Sequence, residues 1–152
     1  MPSQASFLPI AALMVLTGIG VPIMATWNAQ LGQQLGNPAA ATAVLFCVGA
    51  VLAATVVFVS GSVPEAARFT FDRPYIYFGA AFIIFYVLSI TWAAPRIGVG
   101  NAVFFVLLGQ LVAAAAIDHF GLWGAIKSEI TARRIAGIAV MALGVYLARK
   151  TA

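Results

Sequence analysis

The side chains able to do chemistry are few, and they sit at particular depths in long apolar runs. Asp118 and His119 adjoin at the end of one such run. A histidine changes charge near neutral pH, and a neighbouring carboxylate could relay its proton. The same two residues could equally rest among lipid headgroups, with Asp118 paired to Arg133, Arg134 or backbone amides. Gln110 lies near the middle of that run. An amide there needs a partner, because an unpaired amide in hydrocarbon costs several kcal/mol. It can bind a solute in a central cavity or hold two helices together.

Two further groups share helical faces. Thr17, Met24 and Asn28 recur at helical spacing with Gly20 close by, a face expected to meet a cavity. Asn28 can alternatively cap the polar turn that follows. Phe78, Phe82, Phe85, Ser89 and Trp92 form a stripe with Tyr86 beside it. Such a wall suits amphipathic or cationic organic solutes, although aromatics facing lipid are common. Tyr86 and Ser89 are the stronger candidates, since their hydroxyls need partners. Gln110, Asn28, Tyr86, Ser89, Thr17 and Trp92 are therefore the candidate path residues, and Asp118 with His119 the candidate proton relay.

No catalytic set emerges, because no nucleophile stands in a suitable setting beside Asp118 and His119. The single cysteine, Cys47, excludes an intrachain disulfide and any cysteine-based metal site, and it reads as a small apolar packing residue. Neither a metal nor a cofactor is expected. The eight Lys and Arg residues stand singly or in pairs at the ends of apolar runs, which argues for snorkelling to headgroups and against nucleic acid.

The elements that must position these residues follow from composition. The 152-residue chain is 63% hydrophobic and 8% charged, with a mean hydropathy of +1.04. Soluble domains carry about 25% charged residues, so most of this surface must face lipid. A span needs about 20 apolar residues, and the runs predict an all-α, polytopic membrane protein. It is a single membrane domain over 1–152 with five transmembrane helices near 7–27, 39–60, 75–92, 99–117 and 131–148. The first run has no Lys or Arg before it and exceeds signal-peptide length, so it is expected to be retained. Gly18, Gly20 and Pro22 should kink or soften this helix. Uncharged Asn28–Asn37 then reads as a polar connection, and Ala94–Gly98 as a tight turn. Small residues at Gly109 and Ala113, Gly49 and Ala53, and Gly137 and Gly144 read as packing seams.

Five spans place Arg68, Arg73, Lys127, Arg133 and Arg134 on one side and Arg96, Arg149 and Lys150 on the other. That difference is a weak positive-inside signal, mildly favouring the N-terminus inside. It would allow insertion in both orientations and hence an antiparallel homodimer. Because five is odd, two tandem units would be inverted automatically, the arrangement of many transporters with a site between their repeats.

Several segments are more specific: Gly18-Ile-Gly-Val-Pro22, Asn28-Ala-Gln-Leu-Gly32, Leu35-Gly-Asn-Pro38, Phe46-Cys-Val-Gly49 and Ala94-Pro-Arg-Ile-Gly98. Gly109-Gln110, Ile117-Asp-His-Phe-Gly-Leu-Trp-Gly124, Arg134-Ile-Ala-Gly137 and Gly144-Val-Tyr-Leu147 continue the series, in order from about residue 15 to 148. Together they resemble the YdcZ branch of the drug/metabolite transporter superfamily. The resemblance implies an inner-membrane exporter subunit for small organic solutes, half of an inverted-repeat ten-helix architecture. Such a half works as a homodimer or beside a homologous subunit. Unlike the small multidrug-resistance proteins of that superfamily, this chain has no mid-membrane Glu, which counts against cation–proton exchange by that route. The alternative to transport is a scaffold or accessory subunit of a larger membrane complex.

Overall fold

A computed structural model describes residues 4–65, 69 and 71–148, with side chains from residue 7. Arg68, Arg149 and Lys150, three of the charges in the topology count, lie outside the described residues. Among the described residues every regular element is helical. They are α1 (Gln4–Gln34), α2 (Pro38–Val59), α3 (Gly79–Ile97, entered through a 3-10 turn at Pro74–Phe78), α4 (Val99–Phe120) and α5 (Ala132–Ala148). The chain packs as two compact units, residues 1–95 and 96–152.

Four stretches are long and apolar enough to cross a bilayer: Phe7–Gln34, Pro38–Val59, Pro74–Ile97 and Val99–Phe120. Their large side chains point outward, as with Val59 at 83% and Phe82 at 79% exposure. In water that surface would aggregate; in hydrocarbon it costs nothing. The fifth helix has 17 residues, or about 26 Å against a hydrocarbon thickness near 30 Å.

In the first unit α1 is a continuous helix of 31 residues, passing through Gly18, Gly20 and Pro22. It also carries on through Asn28–Gln34, where the sequence suggests a polar connection. Packing explains the extension, because Ala25, Asn28, Ala29 and Gly32 form one buried stripe. The helix ends only at Gly36, whose φ of +63° suits glycine. There Gly36 N–H donates to Gln33 O at 3.1 Å and Asn37 N–H to Gly32 O at 3.0 Å, a Schellman closure. Asn37 then caps α2, its Oδ1 accepting from Ala39 N–H at 2.9 Å and Ala40 N–H at 3.2 Å. Pro38 follows at the first helical position, where its missing N–H is harmless. So short a connection makes α1 and α2 antiparallel neighbours.

The α3 helix likewise runs past the expected turn, with Pro95 inside it, to Ile97. The helix is interrupted at Gly98, at φ +86° and ψ 144°, before α4 begins. Val87, Ile90, Thr91 and Ala94 form its buried stripe.

In the second unit α4 extends to Phe120 and is closed by Gly121 in the left-handed conformation. Gly121-Leu-Trp-Gly124 forms a tight corner in which Trp123 holds φ +53°, the one non-glycine residue with positive φ among those described. Its ring is exposed, as befits an indole at a membrane interface.

Candidate functional site

The first unit contains a polar point in an apolar seam. Asn28 is 3% exposed and Thr91 2% exposed. The Asn28 amide donates through Nδ2 to Thr91 Oγ1 at 2.6 Å, tying α1 to α3. A glycine permits this approach. One turn along α1, a Cβ on Gly32 would lie 3.0 Å from Thr91 Cγ2 and 3.5 Å from Pro38 Cα. The Asn28 Oδ1 has no partner, and neither has the buried Tyr86 hydroxyl. Unsatisfied buried polar atoms cost about 1–3 kcal/mol each.

Beside this seam, α1 and α2 enclose a groove of about 670 Å³, a size that suits a small organic molecule. Its α1 wall follows helical spacing, through Gly20, Met24, Asn28 and Leu31. Its α2 wall includes Phe46, Gly49 and Leu52. No charged side chain lines it, and Asn28 supplies its side-chain acceptor, beside the indole N–H donor of Trp27. Asn28 thus belongs both to the packed stripe and to the groove wall.

The remaining candidates lie in different settings. Ser89 and Trp92 are exposed on α3. Thr17 is exposed on α1, and its hydroxyl donates to Leu13 O at 2.9 Å. Thr26 does the same to Pro22 O at 2.8 Å, the usual way a span threonine satisfies itself. Pro22 has no N–H to offer the Gly18 carbonyl, so the α1 ladder lacks a rung beside Gly18 and Gly20.

In the second unit Gln110 is exposed midway along α4. Asp118 Oδ2 accepts from Arg134 Nη2 at 2.7 Å. His119 Nδ1 accepts from the Ile130 N–H at 3.2 Å, which leaves the ring proton on Nε2. The Asp118 carbonyl accepts from Ser128 N–H at 2.8 Å. These bonds fasten the 125–131 connection and the start of α5 to the end of α4. The ion pair is about one-third exposed, at 33% and 37%, and solvent-screened pairs contribute about 0–1 kcal/mol.

Thr91 is the residue that sequence reasoning missed. Its signal was available, since Val87, Thr91 and Ala94 share a face and a threonine among apolar residues needs a partner. The α2 wall carried no comparable signal, being wholly apolar. Among the described residues no three His, Cys, Asp or Glu side chains converge as metal ligands would.

A family described as "Putative inner membrane exporter, YdcZ" matches residues 9–147, which takes in all five helices. The chain belongs to this family. As a YdcZ-family protein it is a multi-pass inner-membrane protein of a transporter family and not of an enzyme family. No curated protein and no solved structure matches the chain.

Proposed function

We propose that this chain is one half of a secondary exporter that moves a small organic metabolite or drug-like solute by alternating access. The observation that carries this reading is the charge-free groove between α1 and α2, with Asn28 in its wall and a free acceptor at Oδ1. Asn28, Tyr86, Ser89, Thr17, Trp92 and Gln110 contribute to the path. The interrupted ladder at Gly18, Gly20 and Pro22 is its flexible element.

A fifth crossing by α5 would give the odd number of spans that inverts two copies of this unit joined in tandem. The ion pair of Arg134 with Asp118 ties the first turn of α5 to the interfacial end of α4. From there about 14 residues rise about 21 Å to Ala148. Local bilayer thinning makes up the shortfall at a fraction of a kcal/mol per Å. The second, inverted half is another copy of this chain or a homologous subunit. Gln110, exposed at mid-helix, meets it there, because an amide facing lipid would forfeit its hydrogen bonds.

The test is efflux from proteoliposomes holding the purified chain and loaded with a neutral fluorescent amphipath. Protein-dependent, saturable release that falls at least tenfold in Gly49→Leu, with Leu filling the open groove, supports transport. Release no faster than from protein-free vesicles, with correctly folded protein, would leave a scaffold role instead.

A further inference from the structure

Resting on the transport reading, we infer that the groove takes an uncharged amphipathic solute that enters sideways from the bilayer and donates one hydrogen bond to Asn28 Oδ1. Three observations converge on that chemistry. The groove wall holds no charged side chain, so an ion would enter without a counter-charge, and a buried unpaired ion is heavily penalised. Trp27 at 69%, Leu52 at 61% and Val48 at 54% exposure stand at its rim, so its mouth faces the lipid. Finally, Asn28 is spoken for on one side only, with Nδ2 committed to Thr91 and Oδ1 buried without a partner. An acyl chain can fill the apolar walls but has no proton to offer that oxygen. A hydroxyl or amide N–H at the end of an apolar body can.

In the structure Oδ1 is sealed from solvent, so the donor reaches it as α1 and α2 part. Gly20 and Gly49 leave open space on the two groove walls, where an added Cβ would meet nothing within 4 Å, so an apolar body can lie there. Without an occupant the Asn28 acceptor is unsatisfied, and a donor-bearing occupant satisfies it. Ligand binding is favoured by that difference, and the apolar body supplies the remaining affinity.

The experiment uses the full chain in lipid nanodiscs and reads bromine quenching of Trp27, taken as the difference between wild type and Trp27→Phe. Four probes share an eleven-carbon chain: 11-bromo-1-undecanol, 1-bromoundecane, 11-bromoundecanoate and the matching trimethylammonium. The inference expects saturable quenching by the alcohol, about three- to tenfold tighter than by the alkane at equal membrane concentration, the range one net hydrogen bond is worth. The two ionic probes should show no saturable component. Gly49→Leu should abolish saturation, and Asn28→Leu should bring the alcohol to the level of the alkane. The alcohol-to-alkane comparison is made on unmodified protein, so it holds even where Asn28→Leu fails to fold.

Equal quenching by alcohol and alkane, or full competition by a phospholipid brominated in its acyl chain, would overturn the inference and make the occupant a lipid tail. Tighter binding of either ionic probe would overturn it too. Quenching that disappears as protein density in the disc rises would show a second copy seated in the groove. Because binding is read without transport, alcohol binding with no flux would remove the transport reading and keep the site. Flux of a charged solute without alcohol binding would do the reverse.

Discussion

Substituting Gly32 tests the seam on which the candidate site depends. An alanine there places a Cβ 3.0 Å from Thr91 Cγ2, 3.5 Å from Pro38 Cα and 3.8 Å from Ala41 Cβ. The last two are ordinary contacts; the first requires α3 to retreat by a few tenths of an ångström. Overpacking of this kind costs about 1–3 kcal/mol, while replacing glycine inside a helix returns up to about 1 kcal/mol. Gly32→Ala should therefore destabilise the protein by about 1 kcal/mol. The retreat also stretches the 2.6 Å bond from Asn28, one turn back on α1, to the same Thr91. Thr91→Ser removes Cγ2 and keeps the hydroxyl, so in that background the same alanine should be neutral or stabilising. The expected coupling is about 1–2 kcal/mol, measured by a double-mutant cycle of unfolding in SDS from mixed micelles. Equal destabilisation by Gly32→Ala in both backgrounds would refute the close approach of α1 to α3.

Thr91→Val, which strands the Asn28 amide, should cost about 0.6–2 kcal/mol in the same assay, and Thr91→Ser should cost distinctly less. Gly98→Ala forces an L side chain to φ +86° and should lose about 1–3 kcal/mol, visible as a lower midpoint of detergent unfolding. Asp118→Asn should cost under about 1 kcal/mol, because the Arg134 pair is partly exposed, and should leave efflux within twofold of wild type. Gln110→Leu should weaken pairing of the halves several-fold in a FRET dilution series, at unchanged expression.

The long apolar runs carried most of the fold, because a bilayer accepts little except a helix of sufficient length. What local reading misjudged were the helix ends. Asn28–Gln34 looks like a connection because it is polar, yet its Asn28, Ala29 and Gly32 stripe is what packs. The true stop, Leu35-Gly-Asn-Pro38, was legible by its glycine and its cap. Pro95 suggested a turn before Gly98, but a proline late in a helix removes one hydrogen bond without ending it. At the site, Asn28 could be singled out by depth and residue type. Its partner Thr91 and the α2 wall depend on which faces meet, and that is settled by glycine and alanine contacts that no single segment displays. For Asp118 the sequence offers a proton relay or an interfacial pair with Arg133 or Arg134, and the bond to Arg134 anchors the start of α5.

An odd number of spans inverts two such units joined in tandem, while separate copies are inverted by inserting in both orientations; in either case the five-span half depends on α5 crossing. The direct measurement is the sidedness of both termini on the same population, with reporters active on one side of the membrane only. The N- and C-termini are expected on opposite faces, so that α5 crosses. Both termini on one face would mean that α5 does not cross, and would contradict the five-span half.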